Sequence, residues 1–243
     1  MIESWHMTRI AMLLIALAAA AGLAGRAPAE VTRHTCVPKQ AEIRFKAADG
    51  TRLAGYRLGR GTTAVVLAHQ TRSDACQWSS YARRLVRMGY LVIAFDFRGY
   101  GDSQARGGRA ANRLSADVAA AAKVARARGA RKVFAIGASM GGTAVIAAGV
   151  HARPLLAGVI SLSGPATFAG VNAIDLVPKL GIPVLYVVGQ FDQDFAADAQ
   201  RLYDATASGD KAIQVLPVGR HGVELVRSDP PARAAVELFI RSH

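Results

Sequence analysis

The sequence predicts an α/β fold: a mostly parallel central sheet with an N-terminal antiparallel hairpin, helices on both faces and no cap domain. Three observations predict it: a turn signal near the start, short continuous apolar runs, and helical patterns that alternate with those runs. Such runs are typical of strands buried on both faces of a parallel sheet, and the alternation favours helices that cover both faces. A chain of 243 residues is long enough to build this fold as one domain.

The individual elements follow from local patterns. Alternating segments around Asp49-Gly50 predict the hairpin, at residues 42–46 and 51–58. Further strands are predicted at 63–68, 91–95, 132–137, 157–162, 184–188 and, more weakly, 212–218. Helices are predicted at 77–88, 116–128, 142–151, 196–205 and 231–240. The connection 165–181 has room for at most one short helix, near 174–180, and is too short for a cap domain.

The formal net charge of +13 comes from 30 basic and 17 acidic residues. A basic excess can indicate nucleic acid or an anionic membrane surface as partner. Here the arginines are scattered, no run of five or six like charges occurs, and no nucleic-acid docking motif accompanies them. We therefore expect no nucleic-acid partner.

The first 29 residues have the pattern of a secretory signal peptide. A short basic start at 7–9 precedes an uncharged apolar run at 10–25, and small residues follow at 27–29. The alternative is a transmembrane anchor, but sixteen apolar residues are short for a bilayer span. We expect cleavage after Ala29, a single domain over 30–243, no stable membrane insertion, and a periplasmic or secreted location.

Two cysteines, Cys36 and Cys76, remain after that cleavage. Two cysteines allow one pairing, and export to an oxidising compartment favours a disulfide between them. The alternative is two buried, unpaired thiols. No C-x-x-C or H-x-x-x-H spacing occurs, which argues against a zinc site.

Residues 137–142, GASMGG, form a G-x-S-x-G motif between a predicted strand and a predicted helix. In this context a sharp turn exposes the Ser139 hydroxyl, and positions 137 and 141 must be small because strand and helix approach closely. The Met140 N–H lies at a helix N-terminus, where it can stabilise negative charge. The alternative is a glycine-rich turn with a helix-capping serine.

With this motif the chain resembles the α/β-hydrolase family over residues 40–243. The resemblance includes His69-Gln70 after the third strand, FDFRGYGDS at 95–103, GQFD at 189–192 and RHG at 220–222. The chain is most similar to small, lidless members of the dienelactone-hydrolase and esterase type. Those dienelactone hydrolases carry a cysteine nucleophile, so the serine at position 139 favours an ordinary serine esterase.

The family's chain order of nucleophile, acid and histidine implies roles for later residues. His221, in a Gly-bounded loop after the last strand, matches the family's base. His151 ends the helix that the serine opens, about 15 Å away by helical rise, and His243 is the last residue. Asp192 matches the family's G-x-x-D acid, and Asp194 is the alternative.

An oxyanion hole requires a second N–H donor besides that of residue 140. The family takes it from the loop after the third strand, often His-Gly-x, and the corresponding residues here are His69-Gln70-Thr71. Gln70 replaces the glycine, which departs from the pattern. The resemblance implies the Thr71 N–H as donor, with that of Gln70 as alternative. We expect His69 to be a packed structural residue, and Asp96 and Arg98 to brace neighbouring loops.

Together these features predict an exported serine hydrolase that cleaves small carboxylic esters through an acyl-enzyme, without metal or organic cofactor. The expected partner is a small-molecule ester, and a monomer is favoured. Thioesterase, amidase or perhydrolase activity on the same triad remains open, as does a non-catalytic binding protein on this fold. Arg72, Arg106 and Arg109 near strand ends suggest tolerance for anionic substrates, although solvated surface arginines are the commoner explanation.

Overall fold

The computed structural model describes residues 34–105 and 111–243. The segment predicted as a signal peptide, together with Arg106 and Arg109, lies outside these residues. Within the two described ranges, no helix combines the length and the apolar character that crossing a membrane requires.

A single main sheet of eight strands forms the centre of the fold. The strands of this sheet are β1 Glu42–Lys46, β2 Arg52–Leu58, β3 Thr63–Ala68, β4 Leu91–Phe95, β5 Lys132–Ala138, β6 Gly158–Leu162, β9 Val184–Gly189 and β10 Lys211–Leu216. A separate two-stranded hairpin consists of β7 Thr167–Phe168 and β8 Val171–Asn172. The main sheet has the order β1-β2-β4-β3-β5-β6-β9-β10, and β7 pairs only with β8. Antiparallel pairing joins β1 to β2 and β2 to β4, and every other pair of this sheet is parallel. This confirms the predicted fold class.

Helices cover both faces of the sheet. They are α1 Ser79–Arg87, α2 Ala111–Ala127, α3 Met140–His151, α4 Gln193–Ala205, α5 Val223–Ser228 and α6 Pro230–Ser242. Buried residues of α2, α3 and α4 pack on one face, and those of α1, α5 and α6 pack on the other. Successive strand residues serve opposite cores: Val66 belongs to the first and Val65 to the second.

Helices α2 and α4 begin five and three residues earlier than the predicted 116 and 196, and two regions differ in kind from the sequence prediction. The connection from β6 to β9 contains the small β7–β8 hairpin and two single-turn 3-10 helices, Ala173–Asp175 and Val177–Lys179, instead of one short helix. Helix α5 is not predicted at all, because six residues are too few to display a helical period. No cap domain is built in that connection, as expected.

The sulfur atoms of Cys36 and Cys76 are bonded, with an S–S distance of 2.12 Å and a Cα–Cα distance of 5.7 Å. Cys36 precedes β1, whereas Cys76 lies in the 3-10 turn Ala75–Trp78 that follows the β3 loop. The bond therefore fastens the start of the described chain to the segment that runs from β3 into α1.

Candidate active site

Ser139 occupies a sharp turn between β5 and α3. Its backbone angles, φ 49° and ψ −118°, are rarely adopted by a residue with a side chain. The turn is held by hydrogen bonds from Ser139 N to Leu162 O at 2.8 Å and from Gly142 N to Ser139 O at 2.7 Å. The strained conformation is therefore fixed by a bond to the neighbouring strand β6 and by the first turn of α3.

Helix α3 approaches strands β5 and β3 so closely that only glycine fits at positions 137 and 141. A Cβ added at Gly137 would lie 2.0 Å from Gly141 O, and one added at Gly141 would lie 2.3 Å from Ala68 O. Both distances are far below van der Waals contact. The small residues expected on both sides of the serine are thus required by backbone packing.

His221 and Asp192 are joined by a hydrogen bond. The His221 Nδ1 lies 3.0 Å and 2.9 Å from the two carboxylate oxygens of Asp192, which follows β9. The Asp192 side chain is buried at 6% exposure, whereas the His221 side chain is 31% exposed and its ring packs at 4.4 Å from that of Phe195. An Nδ1–H donated to the carboxylate leaves Nε2 as the acceptor.

The loop of His221 touches the strand end that carries Ser139. A Cβ built on Gly222, directly after the histidine, would lie 3.4 Å from the Cβ of Ala138, directly before the serine. Gly222 has a φ of 56°, so the loop turns sharply at this point. The structure thus places the residue after the histidine close to the residue before the serine, and Asp192 is bonded to Nδ1 of the same imidazole.

Two polar side chains hold this loop in place, and sequence reasoning assigned a role to neither. The Ser163 hydroxyl accepts a hydrogen bond from Gly222 N at 3.1 Å. The side-chain oxygen of Gln70 accepts from Val223 N at 3.4 Å. No local motif predicts these contacts, because each joins residues far apart in the chain. The departure from the family's glycine at position 70 is the one signal that pointed to an unusual contact there.

His69 fixes the orientation of the next peptide group. Its buried ring accepts from Phe97 N at Nε2 (2.9 Å), so the ring proton resides on Nδ1, which lies 2.7 Å from Gln70 O. Burial lowers the pKa of His69, which keeps the ring neutral. With the Gln70 carbonyl turned toward His69, the trans peptide turns the Thr71 N–H the opposite way. The expected packed, structural role of His69 is confirmed.

The backbone N–H groups of Met140, next to the serine, and of Thr71, in the loop after β3, have no acceptor among the described residues. Met140 is the first residue of α3, and the first N–H groups of a helix carry the positive end of its dipole. The Met140 N–H is therefore well placed to bind a developing negative charge.

Strained backbone is concentrated where strands of the sheet end. Among the described non-glycine residues, φ is positive at Arg72, Ser139, Ser163, Gln193 and Ala169. The first four follow β3, β5, β6 and β9 respectively, and only Ala169 lies elsewhere, in the β7–β8 hairpin. Such conformations are common at functional sites. The positive φ angles therefore indicate a functional site at this edge of the sheet without reference to any sequence motif.

Asp96 braces the loops behind the site, as expected. Its carboxylate accepts from Ala75 N and Asp102 N, each at 2.8 Å, and lies 3.0 Å from His34 Nε2. Burial alone would lower the pKa of His34, but the hydrogen bond to Asp96 and the nearby aspartates raise it. One buried carboxylate thus ties the β3 loop, the β4 loop and the N-terminal segment together.

Arg98 is also a bracing residue. The side chain is 1% exposed and forms ion pairs with the buried Asp117 of α2 and with Asp49 in the β1–β2 turn. Arg98 thereby links α2 to the β1–β2 turn, because each carboxylate accepts from a different part of the guanidinium group.

The remaining candidates lie elsewhere. Asp194 is exposed in the first turn of α4, and His151 is exposed at the end of α3. Arg72 is exposed in the turn after β3. In residues 34–105 and 111–243, no three His, Cys, Asp or Glu side chains are grouped as a metal site would require.

The strand order and the serine turn between β5 and α3 define an α/β-hydrolase fold. Residues 60–176 match the sequence profile of the family described as serine aminopeptidase, S33. No curated protein matches the sequence.

Solved structures share this architecture. An esterase of Pyrococcus furiosus superposes with a TM-score of 0.72 at 17% identity, over 83% of this chain and 90% of that one. A thermophilic esterase of Thermogutta terrifontis gives 0.68 at 19%, over 83% and 98%. An enol-lactonase of Burkholderia xenovorans gives 0.68 at 16%, over 82% and 100%. At such identities the likeness establishes the fold. Together with the profile match, it confirms the resemblance to the α/β-hydrolase family.

Proposed function

We propose that this protein is an exported serine hydrolase that cleaves small carboxylic esters through an acyl-enzyme intermediate. Ser139 is the nucleophile, His221 the general base, and Asp192 the carboxylate that orients it. The observation that carries the proposal is the pair of 3.0 Å and 2.9 Å distances from the Asp192 oxygens to His221 Nδ1, in a loop packed against the serine turn. The esterases among the structural neighbours support the choice of bond.

The geometry suits acyl transfer in two steps. The Asp192 carboxylate holds the Nδ1 proton, so Nε2 of His221 accepts the Ser139 proton as the hydroxyl oxygen attacks the acyl carbonyl. The N–H groups of Met140 and Thr71 donate to the resulting oxyanion. When the carbon–oxygen bond of the ester breaks, His221 protonates the leaving alcohol. Water then loses a proton to His221, attacks the acyl-enzyme and releases the acid and the free serine.

The proposal includes a small, soluble substrate and an exported monomer that binds no nucleic acid. The β6–β9 connection adds only a small hairpin and two single turns, which supports access for short acyl groups. The N-terminal segment and the Cys36–Cys76 bond support export, since disulfides persist in oxidising compartments. The mass of the mature protein recovered from the extracytoplasmic fraction tests cleavage after Ala29.

Labelling with a fluorophosphonate tests the nucleophile directly. The wild-type protein should be modified at Ser139 and should hydrolyse p-nitrophenyl acetate, while Ser139→Ala should do neither and should keep its melting temperature. The histidines give a matched pair: His221→Ala should lose turnover, and His151→Ala should retain it. Hydrolysis by Ser139→Ala at the wild-type rate would exclude the assignment.

A substrate panel separates the bonds that the same triad can cleave. An acetyl ester, an acetyl thioester and an amino-acid p-nitroanilide should be compared, because the matched profile is described as that of an aminopeptidase. We expect the ester to have the highest kcat/KM. A preference for the anilide would make the protein a peptidase, and labelling without turnover of any substrate would favour a binding role.

A further inference from the structure

Helices α1, α5 and α6 border a basic cavity, open to solvent, on the face of the sheet that they share. Its volume is about 190 Å³, and the polar side chains that line it are Ser80, Tyr81, Arg84, Arg87, Arg227 and Arg233. On α1, Ser80, Arg84 and Arg87 recur at the i, i+4, i+7 spacing that places side chains on one side of a helix. The cavity thus concentrates arginines from three helices.

Carboxylates neutralise only part of this charge. Glu237 accepts from both Nε and Nη2 of Arg84, and Glu224 accepts from Nη1 of Arg227 at 2.9 Å. Arg233 uses Nη1 for the carbonyl oxygens of Val226 and Arg227 and has no acidic partner in the described part of the chain. Four guanidinium groups therefore face two carboxylates, and several N–H donors remain.

Arg87 is the clearest case of an unused cation. Neither a hydrogen bond nor an ion pair joins its side chain to any residue of the described ranges. The side chains of Arg84, Arg87 and Arg227 are exposed, so water screens their mutual repulsion, and an anion bound between them is attracted by several guanidinium groups at once. Arginine is the residue best suited to bind an oxyanion with several oxygens, because its planar fork donates in parallel.

Tyr81 borders the cavity, but its hydroxyl does not open into it. The residue is 2% exposed, and its hydroxyl oxygen is buried without a hydrogen-bond partner among the described residues. An oxygen that water does not reach cannot contact a group bound in the cavity, so the arginines provide the binding groups of the site.

We propose that this cavity binds a phosphoryl group, held by Arg87, Arg227 and Arg233. The two uncompensated positive charges match the charge of about −1.5 to −2 that a phosphate monoester carries near neutral pH. The volume is several times the roughly 30 Å³ share of one water molecule and accommodates a tetrahedral oxyanion with a small substituent. The phosphoryl group belongs to a free phosphate monoester or to a phospholipid headgroup.

Calorimetric titration with inorganic phosphate, in sodium chloride of near-physiological ionic strength, tests the site. Arg87→Ala should weaken binding about tenfold, the loss of a charge-assisted hydrogen bond. Tyr81→Phe removes an unpaired hydroxyl that does not open into the cavity, so it should fold normally and bind like the wild type. Arg128→Ala, an exposed arginine after α2, changes the net charge equally and should bind like the wild type. Absence of binding to the wild type, or equal weakening by Arg128→Ala and Arg87→Ala, would overturn the proposal.

Co-sedimentation with vesicles separates the two sources of phosphate. Binding to phosphatidylcholine vesicles that contain phosphatidate, but not to phosphatidylcholine alone, and its loss in Arg87→Ala, assigns the site to a lipid headgroup. Binding of free phosphate without vesicle binding assigns it to a soluble phosphate monoester. Vesicle binding that Arg87→Ala leaves unchanged, in a protein that does not bind free phosphate, would exclude the cavity as a phosphoryl site.

Discussion

Removing the bond between Cys36 and Cys76 gives a prediction with a calculable size. The two residues are 40 positions apart, and the loop that they close contains β1, β2 and β3. In the chain-entropy treatment, opening a loop of this length lowers the free energy of unfolding by about 4 kcal/mol. For a domain of this size that corresponds to a fall in melting temperature of about 10 °C.

The double variant Cys36→Ser/Cys76→Ser is the suitable perturbation, because both positions are only partly buried and a hydroxyl there can reach water. Scanning calorimetry of the oxidised wild type and of this variant measures the difference. A fall of less than about 1 kcal/mol in the free energy of unfolding would refute the chain-entropy reasoning.

The same variant should retain most of its kcat. Other contacts hold the loop after β3: Asp96 accepts from Ala75 N at 2.8 Å, and the Tyr56 hydroxyl donates to Ala75 O at 3.2 Å. These bonds persist without the disulfide, so the peptide group at Thr71 should keep its orientation. A large loss of kcat in the folded variant would show that the disulfide itself positions the loop.

Three further outcomes are expected. Asp192→Asn should lower kcat about 10⁴-fold because His221 loses the carboxylate that holds its tautomer, while the exposed Asp194→Asn should change it little; the reverse ranking in a p-nitrophenyl acetate assay would move the acid. A panel of acyl chain lengths should favour short chains, and a rate jump above the micellar concentration with long-chain triglyceride preferred would contradict an open site. The pKa of His34 is raised in the folded protein, so its ion pair with Asp96 contributes to the free energy of unfolding. This contribution is complete below the pKa of the unfolded state, about 6.5, and is lost as the pH rises through the pKa of the folded state. The melting temperature of the wild type should therefore fall more between about pH 6 and about pH 9 than that of His34→Gln. Equal falls in the two proteins would show that His34 does not contribute to the pH dependence of stability.

Most of the sheet could be predicted because local signals coincide with it. Runs such as 63–68 and 91–95 are apolar throughout, and the structure places strands at those same residues. The serine turn is equally local, since the glycines that permit close packing lie within two residues of Ser139. The residues that determine the conformation of this turn are therefore those of the motif itself.

Contacts between distant segments could not be predicted. Gln70 and Val223 are separated by 153 positions, and nothing near either residue indicates the other. The pairing of His34 with Asp96 and the basic cavity at Arg87 depend in the same way on how helices and loops dock. Helix α5 belongs with them, because its buried side chains acquire a partner only when α1 and α6 are in place.

The positive φ angles at Arg72, Ser139, Ser163 and Gln193 have a consequence for thermal adaptation. Each such residue lowers the free energy of unfolding by of order 1 kcal/mol, and substitution by glycine would restore part of that loss. Heat-tolerant variants selected only for folding should accumulate glycine at these strand ends. Selection that also demands turnover should retain Ser139 and favour stabilising substitutions in α1, α2 and α6, which carry none of the residues proposed to act in catalysis.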